Sequence, residues 1–253
     1  MDRSGQLAHM KSNFLKIMVV VLSLGALVGC SNPPLIDAVE SGNVRAVEDM
    51  LNQGVEPNVY NRAGDSALAL ALRHGHREIA ALLLKREVDI NAPGVLNTTP
   101  LMLAVSGPYP GLVQLLIDKG ADINASDTNG NTALMLLPLA DEPEVIEILL
   151  ANGAEVNAYN RENIGALMVA AFMGHMQIAE LLLAKGAEVN KQAKDGQTAL
   201  MRAARQGQID MISLLIDNGA DIHAKTVDEE NAVDWAMEQG KLEAAEYLRK
   251  LGG

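Results

Sequence analysis

The side chains best able to do chemistry in this 253-residue chain are few and scattered. Cys30 is its only thiol. It follows Leu27-Val28-Gly29 and precedes Ser31-Asn32-Pro33-Pro34. One cysteine has no partner for an internal disulfide, so packing alone must hold the fold. His74-Gly75-His76 reads as a possible pair of metal ligands. Asp141-Glu142 and Glu229-Glu230 are acid pairs, adjacent in sequence and expected to be solvated. No carboxylate has a reason visible in the sequence for a shifted pKa. There is no G-x-S-x-G nucleophile and no P-loop. The chain reads as a non-enzyme without a cofactor or a small-molecule substrate.

The segment before Cys30 explains the thiol. Ile17 to Gly29 runs IMVVVLSLGALVG without a charge, preceded by Lys11 and Lys16. Thirteen residues are too few to span a bilayer comfortably as a helix, and the pattern is that of a signal peptide. Leu27-Val28-Gly29-Cys30 resembles the lipobox of bacterial lipoproteins. That resemblance implies cleavage before Cys30 and acylation of its thiol and new amino group, making Cys30 an attachment point. Two or three acyl chains anchor firmly where one does not. Ser31, which is not aspartate, implies sorting to the outer membrane, with the protein facing the periplasm. Residues 1–29 are thus assigned to a signal peptide, with Met10 as an alternative start, residues 30–34 to a lipidated linker and 35–253 to one folded domain.

Composition narrows what that domain is. Nearly half of the residues are hydrophobic but only 3% are aromatic. The core must come from Leu, Ile, Val, Ala and Met, which favours helices over sheets. A net charge of −12 leaves no basic face for phosphates, so nucleic acid is not expected as a partner.

Beyond residue 34 the chain repeats itself. ALAL at 67 returns as PLML at 100, ALML at 133, ALMV at 166 and ALMR at 199, a step of 33 residues. Asn58, Asn91, Asn124, Asn157 and Asn190 keep the same step, with His223 in the last slot. So do apolar triplets from Leu82-Leu83-Leu84 to Leu214-Leu215-Ile216. A fixed period of this length marks a repeat architecture. Residues 35–253 resemble the ankyrin repeat, whose TPLH appears here mostly as T-A-L-M. The resemblance implies an all-α solenoid of helix-turn-helix units with short β-turn connections, here five full repeats plus two capping repeats. Within one copy, Leu200, Ala203 and Ala204 form the stripe of a first helix and Ile209, Ile212, Leu215 and Ile216 that of a second. Gly207 and Gly219 end them. Neither stripe is buried without stacked neighbours. Residues 35–61 start abruptly, keeping mainly the second half of the pattern, and Trp235 closes the far end near the leucine slot. Gly75-His76 and Gly174-His175 occupy the family's Gly-His position, where histidine is structural, so no metal is expected.

The third and fourth copies break the pattern at SGPYPGLV and LPLADEPEV. Pro108, Pro110, Pro138 and Pro143 are incompatible with unkinked helix interiors, so altered turns between helices are expected there. Ankyrin arrays bind through the β-turn tips and the exposed concave face of the first helices. Carried over position by position, that surface is Arg62, Arg73, Leu96, Leu103, Asn131, Leu136, Leu139, Arg161, Ile164, Phe172, Arg202 and Arg205. Its apolar centre with arginines nearby suits a protein hot spot. The expected function is capture of a protein partner in the periplasm, as inhibitor, immunity or accessory protein of a toxic envelope enzyme such as a phospholipase. The alternative is an envelope scaffold or stress-protection factor without a single toxic target.

Overall fold

A computed structural model describes residues 32–107, 109–138, 141 and 143–252. The signal segment, Cys30, Ser31, Pro108, Leu139 and Glu142 lie outside them. Residues Pro33–Gly253 form one compact unit. Its helices are α1 (Pro34–Glu40), α2 (Val44–Asn52), α3 (Ala67–Arg73), α4 (Arg77–Leu84), α5 (Pro100–Val105), α6 (Pro110–Asp118), α7 (Glu144–Ala151), α8 (Ala166–Met173), α9 (Met176–Ala184), α10 (Ala199–Gln206), α11 (Ile209–Asp217), α12 (Ala232–Glu238) and α13 (Leu242–Gly252). They pair in order, and first helices pack on first helices of adjacent repeats. The described residues hold no β-strand, only the isolated bridges Tyr60–Ser66 and Ser126–Thr132 within turn tips. The chain is thus the all-α repeat solenoid that its period predicts.

The N-terminal end corrects one expectation. Instead of an abrupt half-repeat, α1 and α2 make a complete helix pair. Pro34 sits at the first helical position of α1, where its missing N–H costs nothing. Pro110 starts α6 in the same way. At the far end Val233, not Trp235, takes the leucine slot, and Trp235 stands two residues on, half-buried against the core.

The fourth repeat is the real break. Its first helix shrinks to one 3-10 turn, Ala133–Met135. Pro138 disfavours the helical region for Leu137, so the turn cannot lengthen. Ser66 and Thr198 cap α3 and α10 by accepting from Ala69 N–H and Met201 N–H at 3.1 and 3.3 Å. Thr132, in the same slot, makes no cap, and its buried hydroxyl has no partner. The segment after the turn is nevertheless tied down. Pro138 carbonyl meets His175 Nε2 at 2.9 Å. Asp141 accepts from the N–H groups of Gln177 and Ile178 at 2.9 and 3.1 Å. Asp141 therefore caps α9 of the next repeat, whose own N-cap, His175, makes no side-chain cap. A solvated Asp141 was expected; free N–H groups and the positive end of a helix give it a better place.

Two ladders join the repeats. Each marker asparagine bridges to the next connecting loop. Asn58, Asn91, Asn124, Asn157 and Asn190 donate to the carbonyls of Glu87, Gly120, Gly153, Gly186 and Gly219. Their Oδ1 atoms accept from the N–H groups of Asp89, Asp122, Glu155, Glu188 and Asp221. That reciprocal use of one amide requires asparagine. The second ladder is the Gly-His slot. Tyr109 hydroxyl donates to Gly75 carbonyl at 3.4 Å, His175 reaches Pro138, and the Gln208 amide lies against the Ala171–Gly174 turn.

Candidate functional site

The first helix of each repeat carries two positions on one side, two and five residues after the marker leucine; in the fourth repeat Leu136 directly follows the 3-10 turn, and Leu139 belongs to the column by sequence alone, lying outside the described residues. The first column reads Leu70, Leu103, Leu136, Val169, Arg202, Trp235. The second reads Arg73, Ser106, Leu139, Phe172, Arg205, Glu238. Going along the array, the stripe is apolar through the middle and turns to arginine and tryptophan in the last two repeats. Leu103 and Leu136 are half-buried and pack on the core, and Val169 is buried. Phe172 is half-buried.

The turn tips form a parallel edge. Backbone N–H groups of Thr128, Arg161, Lys194 and Val227 donate to the carbonyls of Leu96, Asn129, Glu162 and Asp195, all at 2.9–3.0 Å. Every tip needs one left-handed residue. Gly64, Gly130 and Gly196 provide it in three copies, and Asn97, Asn163 and Glu229 are forced into it in the others. In the third repeat Leu96 is left-handed as well, with φ 59°, and is 54% exposed.

Of the surface residues expected from the sequence, Arg62 and Arg161 are exposed at tips and Ile164 is half-buried at one. Four others are not free surface. Asn131 is buried: its Nδ2 donates to Asp127 at 2.9 Å and its Oδ1 accepts from Asn160 at 2.8 Å. Arg202 and Arg205 are only 4% and 8% exposed. Arg73 is held by Asp65, which takes two of its nitrogens and also accepts from Val95 N–H at 3.0 Å. That buried carboxylate is why residue 94 is glycine: a Cβ there would stand 2.4 Å from Asp65 Oδ1.

Electrostatics sort the polar groups. Burial pushes the Arg202 guanidinium down from its usual value; Asp195 opposes this and Arg205 adds to it. Burial lowers Arg205 too, against Glu238. Arg205 lies over the Trp235 ring, 5.0 Å from its centre. Burial, then the neighbouring His76, lowers His74, and the two rings stack at 5.8 Å. Neither histidine joins a metal cluster; among the described residues no three His, Cys, Asp or Glu side chains are grouped for one. Among those residues, too, no helix is long and apolar enough to cross a membrane.

Sequence reasoning placed Asp65 on the binding surface and Asp141 in solvent, and missed that Asp65 is a buried partner of Arg73 and Asp141 a helix cap. Asp65 has a usable signal: an acid eight residues before an arginine across a short helix. Asp141 has none, because its partners belong to the next repeat.

Comparison with known proteins agrees with this geometry. A sequence model of ankyrin repeats (three copies) matches in four overlapping windows, residues 15–94, 35–127, 101–193 and 167–253. An ankyrin repeat protein of Pseudomonas aeruginosa, PA3287, is 44% identical over 48 residues, 19% of this chain and 28% of that protein. The aligned stretch thus spans little more than a quarter of the relative's length. With helix pairs in a 33-residue register, an asparagine ladder and a family match running from residue 15 to residue 253, the chain belongs to the ankyrin-repeat family.

Proposed function

We propose that this ankyrin array, a scaffold for protein–protein interaction, captures one protein partner at the bacterial envelope through its first-helix stripe and turn tips. The observation that carries the reading is the stripe itself: half-exposed Leu103, Leu136 and Phe172 run into arginines, in a chain otherwise acidic. Apolar anchors beside arginine supply binding energy at protein interfaces. Anchoring is the second part of the proposal. The apolar run ending in Leu27-Val28-Gly29-Cys30 supports cleavage before Cys30, its acylation, and an outer-membrane protein facing the periplasm. Tethered there, the array serves as an inhibitor or immunity partner of a toxic envelope enzyme.

Phe172→Asp tests the face. Phe172 is a half-buried member of the stripe, and the substitution should abolish capture of the partner from envelope extracts while leaving Tm nearly unchanged. An equal loss of both would sink the reading. Cys30→Ser should release the chain from the membrane fraction; retention there would refute the lipid anchor. A deletion strain sensitive only to sister cells fits the immunity role, and sensitivity to detergents or oxidants in general fits a scaffold instead.

A further inference from the structure

The end of the stripe holds donors that nothing accepts from. Arg202 is 4% exposed, and its Nε is buried without a hydrogen-bond partner. The indole N–H of Trp235, one repeat on in the same column, is also buried and unpaired. Between them in register, Arg205 is 8% exposed and stacks on Trp235. Asp195 and Glu238 offset part of the charge on Arg202 and Arg205 without forming an ion pair with either. Both Asp195 oxygens are taken by Gln197, at 3.1 and 2.6 Å, and among the described residues no ion pair reaches Arg202 or Arg205. A buried charge without a partner is costly. Two guanidinium groups and an indole offer only donors, so what they lack is an anionic acceptor.

We infer that Arg202, Arg205 and the Trp235 indole N–H form a notch for a carboxylate of the protein partner, an aspartate, a glutamate or a chain terminus. The inference rests on the reading that this face binds a protein, and adds the chemistry of one contact. A planar carboxylate matches the guanidinium fork with two parallel hydrogen bonds. Phe172, half-buried one repeat before Arg205 in the same column, receives a residue flanking the carboxylate.

The single tryptophan of the full-length chain is the reporter. Sodium acetate, titrated against sodium chloride at constant ionic strength, should shift the indole N–H resonance saturably and raise Tm, and chloride should do neither. Arg202→Met should weaken the acetate response by about tenfold, the loss of one charge-assisted hydrogen bond. Its Tm without acetate should equal or exceed that of the parent, because a desolvated charge with an unpaired Nε is gone. Arg202→Lys, which keeps the charge but not the fork, should respond weakly. An indole unmoved by acetate, a lower Tm in Arg202→Met, or an undiminished response in Arg202→Lys would overturn the notch. A stronger response to inorganic phosphate than to acetate would overturn the carboxylate. If Phe172→Asp abolishes partner capture while Arg202→Met leaves it intact, the notch fails and the binding face stands. If acetate binds through Arg202 but Phe172→Asp still captures the partner, the notch stands and the proposed face falls.

Discussion

Replacing Asn124 by alanine isolates one rung of the asparagine ladder. The rung is two hydrogen bonds, Nδ2 to Gly153 carbonyl at 3.1 Å and Glu155 N–H to Oδ1 at 3.0 Å. Each bond contributes about 0.5–1.5 kcal/mol net. Asn124 is exposed, so water re-satisfies part of what is lost, and the expected cost is about 1–2 kcal/mol. Leu182→Ala, at a fully buried core position, is the packing control and should cost about 2–5 kcal/mol. The position of the rung matters as much as its size. Asn124 and its partners bracket repeat four, whose first helix is already a single turn. In an array held by nearest-neighbour interfaces, weakening an already weak unit uncouples the two sides. Asn124→Ala should therefore lower both the midpoint and the slope of urea unfolding followed by circular dichroism. Asn190→Ala removes the equivalent rung, at 2.8 and 2.7 Å, between intact repeats, and should lower the midpoint alone. Asn124→Asp keeps the acceptor and loses the donor, so it should fall between. A loss below about 0.5 kcal/mol for Asn124→Ala, under one weak hydrogen bond, or an Asn124→Asp variant as stable as the parent, refutes the ladder as a source of stability.

Three further outcomes follow from single residues. Asp141→Ala removes a cap shared between repeats and should lower stability by about 1 kcal/mol, with faster amide exchange confined to the first turn of α9; unchanged exchange there would show that the cap does not act. Leu96→Gly relieves a left-handed, exposed leucine, and thermal melting should show a gain of about 1 kcal/mol; a loss would mean that the side chain holds the tip. Burial, aided by the Glu188 carboxylate, pushes the Tyr159 phenol up to about 12. The folded value exceeds the ordinary 10, so its contribution to stability is present below pH 10 and disappears as pH rises through 12; near-ultraviolet titration of the four tyrosines should show one late phenolate, absent in Tyr159→Phe.

The period made the fold legible. A 33-residue step with helical stripes inside it leaves one way to bury the apolar faces, and the helix pairs stand where the stripes place them. The expected disturbance holds in the fourth copy, where Pro138 limits the first helix to one turn; in the third, Pro110 simply starts α6. What the sequence hides is interaction between copies. Asp141 next to Glu142 reads as a solvated pair until α9 of the following repeat brings its free N–H groups alongside. Arg202 and Arg205 sit in slots that are surface in a generic repeat. Here both are buried, and Arg205 lies over the broad Trp235 ring of the next copy. Asn131 reads as a tip residue, yet Asp127 and Asn160 use up its amide. In each case a neighbour 29 to 37 residues away decides the outcome.

That same locality explains how the chain combines a regular scaffold with irregular features. In a compact globule, a buried unpaired arginine or a helix cut to one turn disturbs a single shared core. In a stacked array each unit answers mainly to its two neighbours, so the cost of such a feature stays near it. The uncapped turn of repeat four lies beside Asp141 and His175, which pin it to repeat five. The unpaired donors of Arg202 and Trp235 lie where repeats six and seven meet, past the apolar middle of the stripe. The rungs at Asn157 and Asn190 remain intact across repeats five and six. A surface free to depart from the consensus without loosening its support is what a binding array requires, and the departures fall on the stripe.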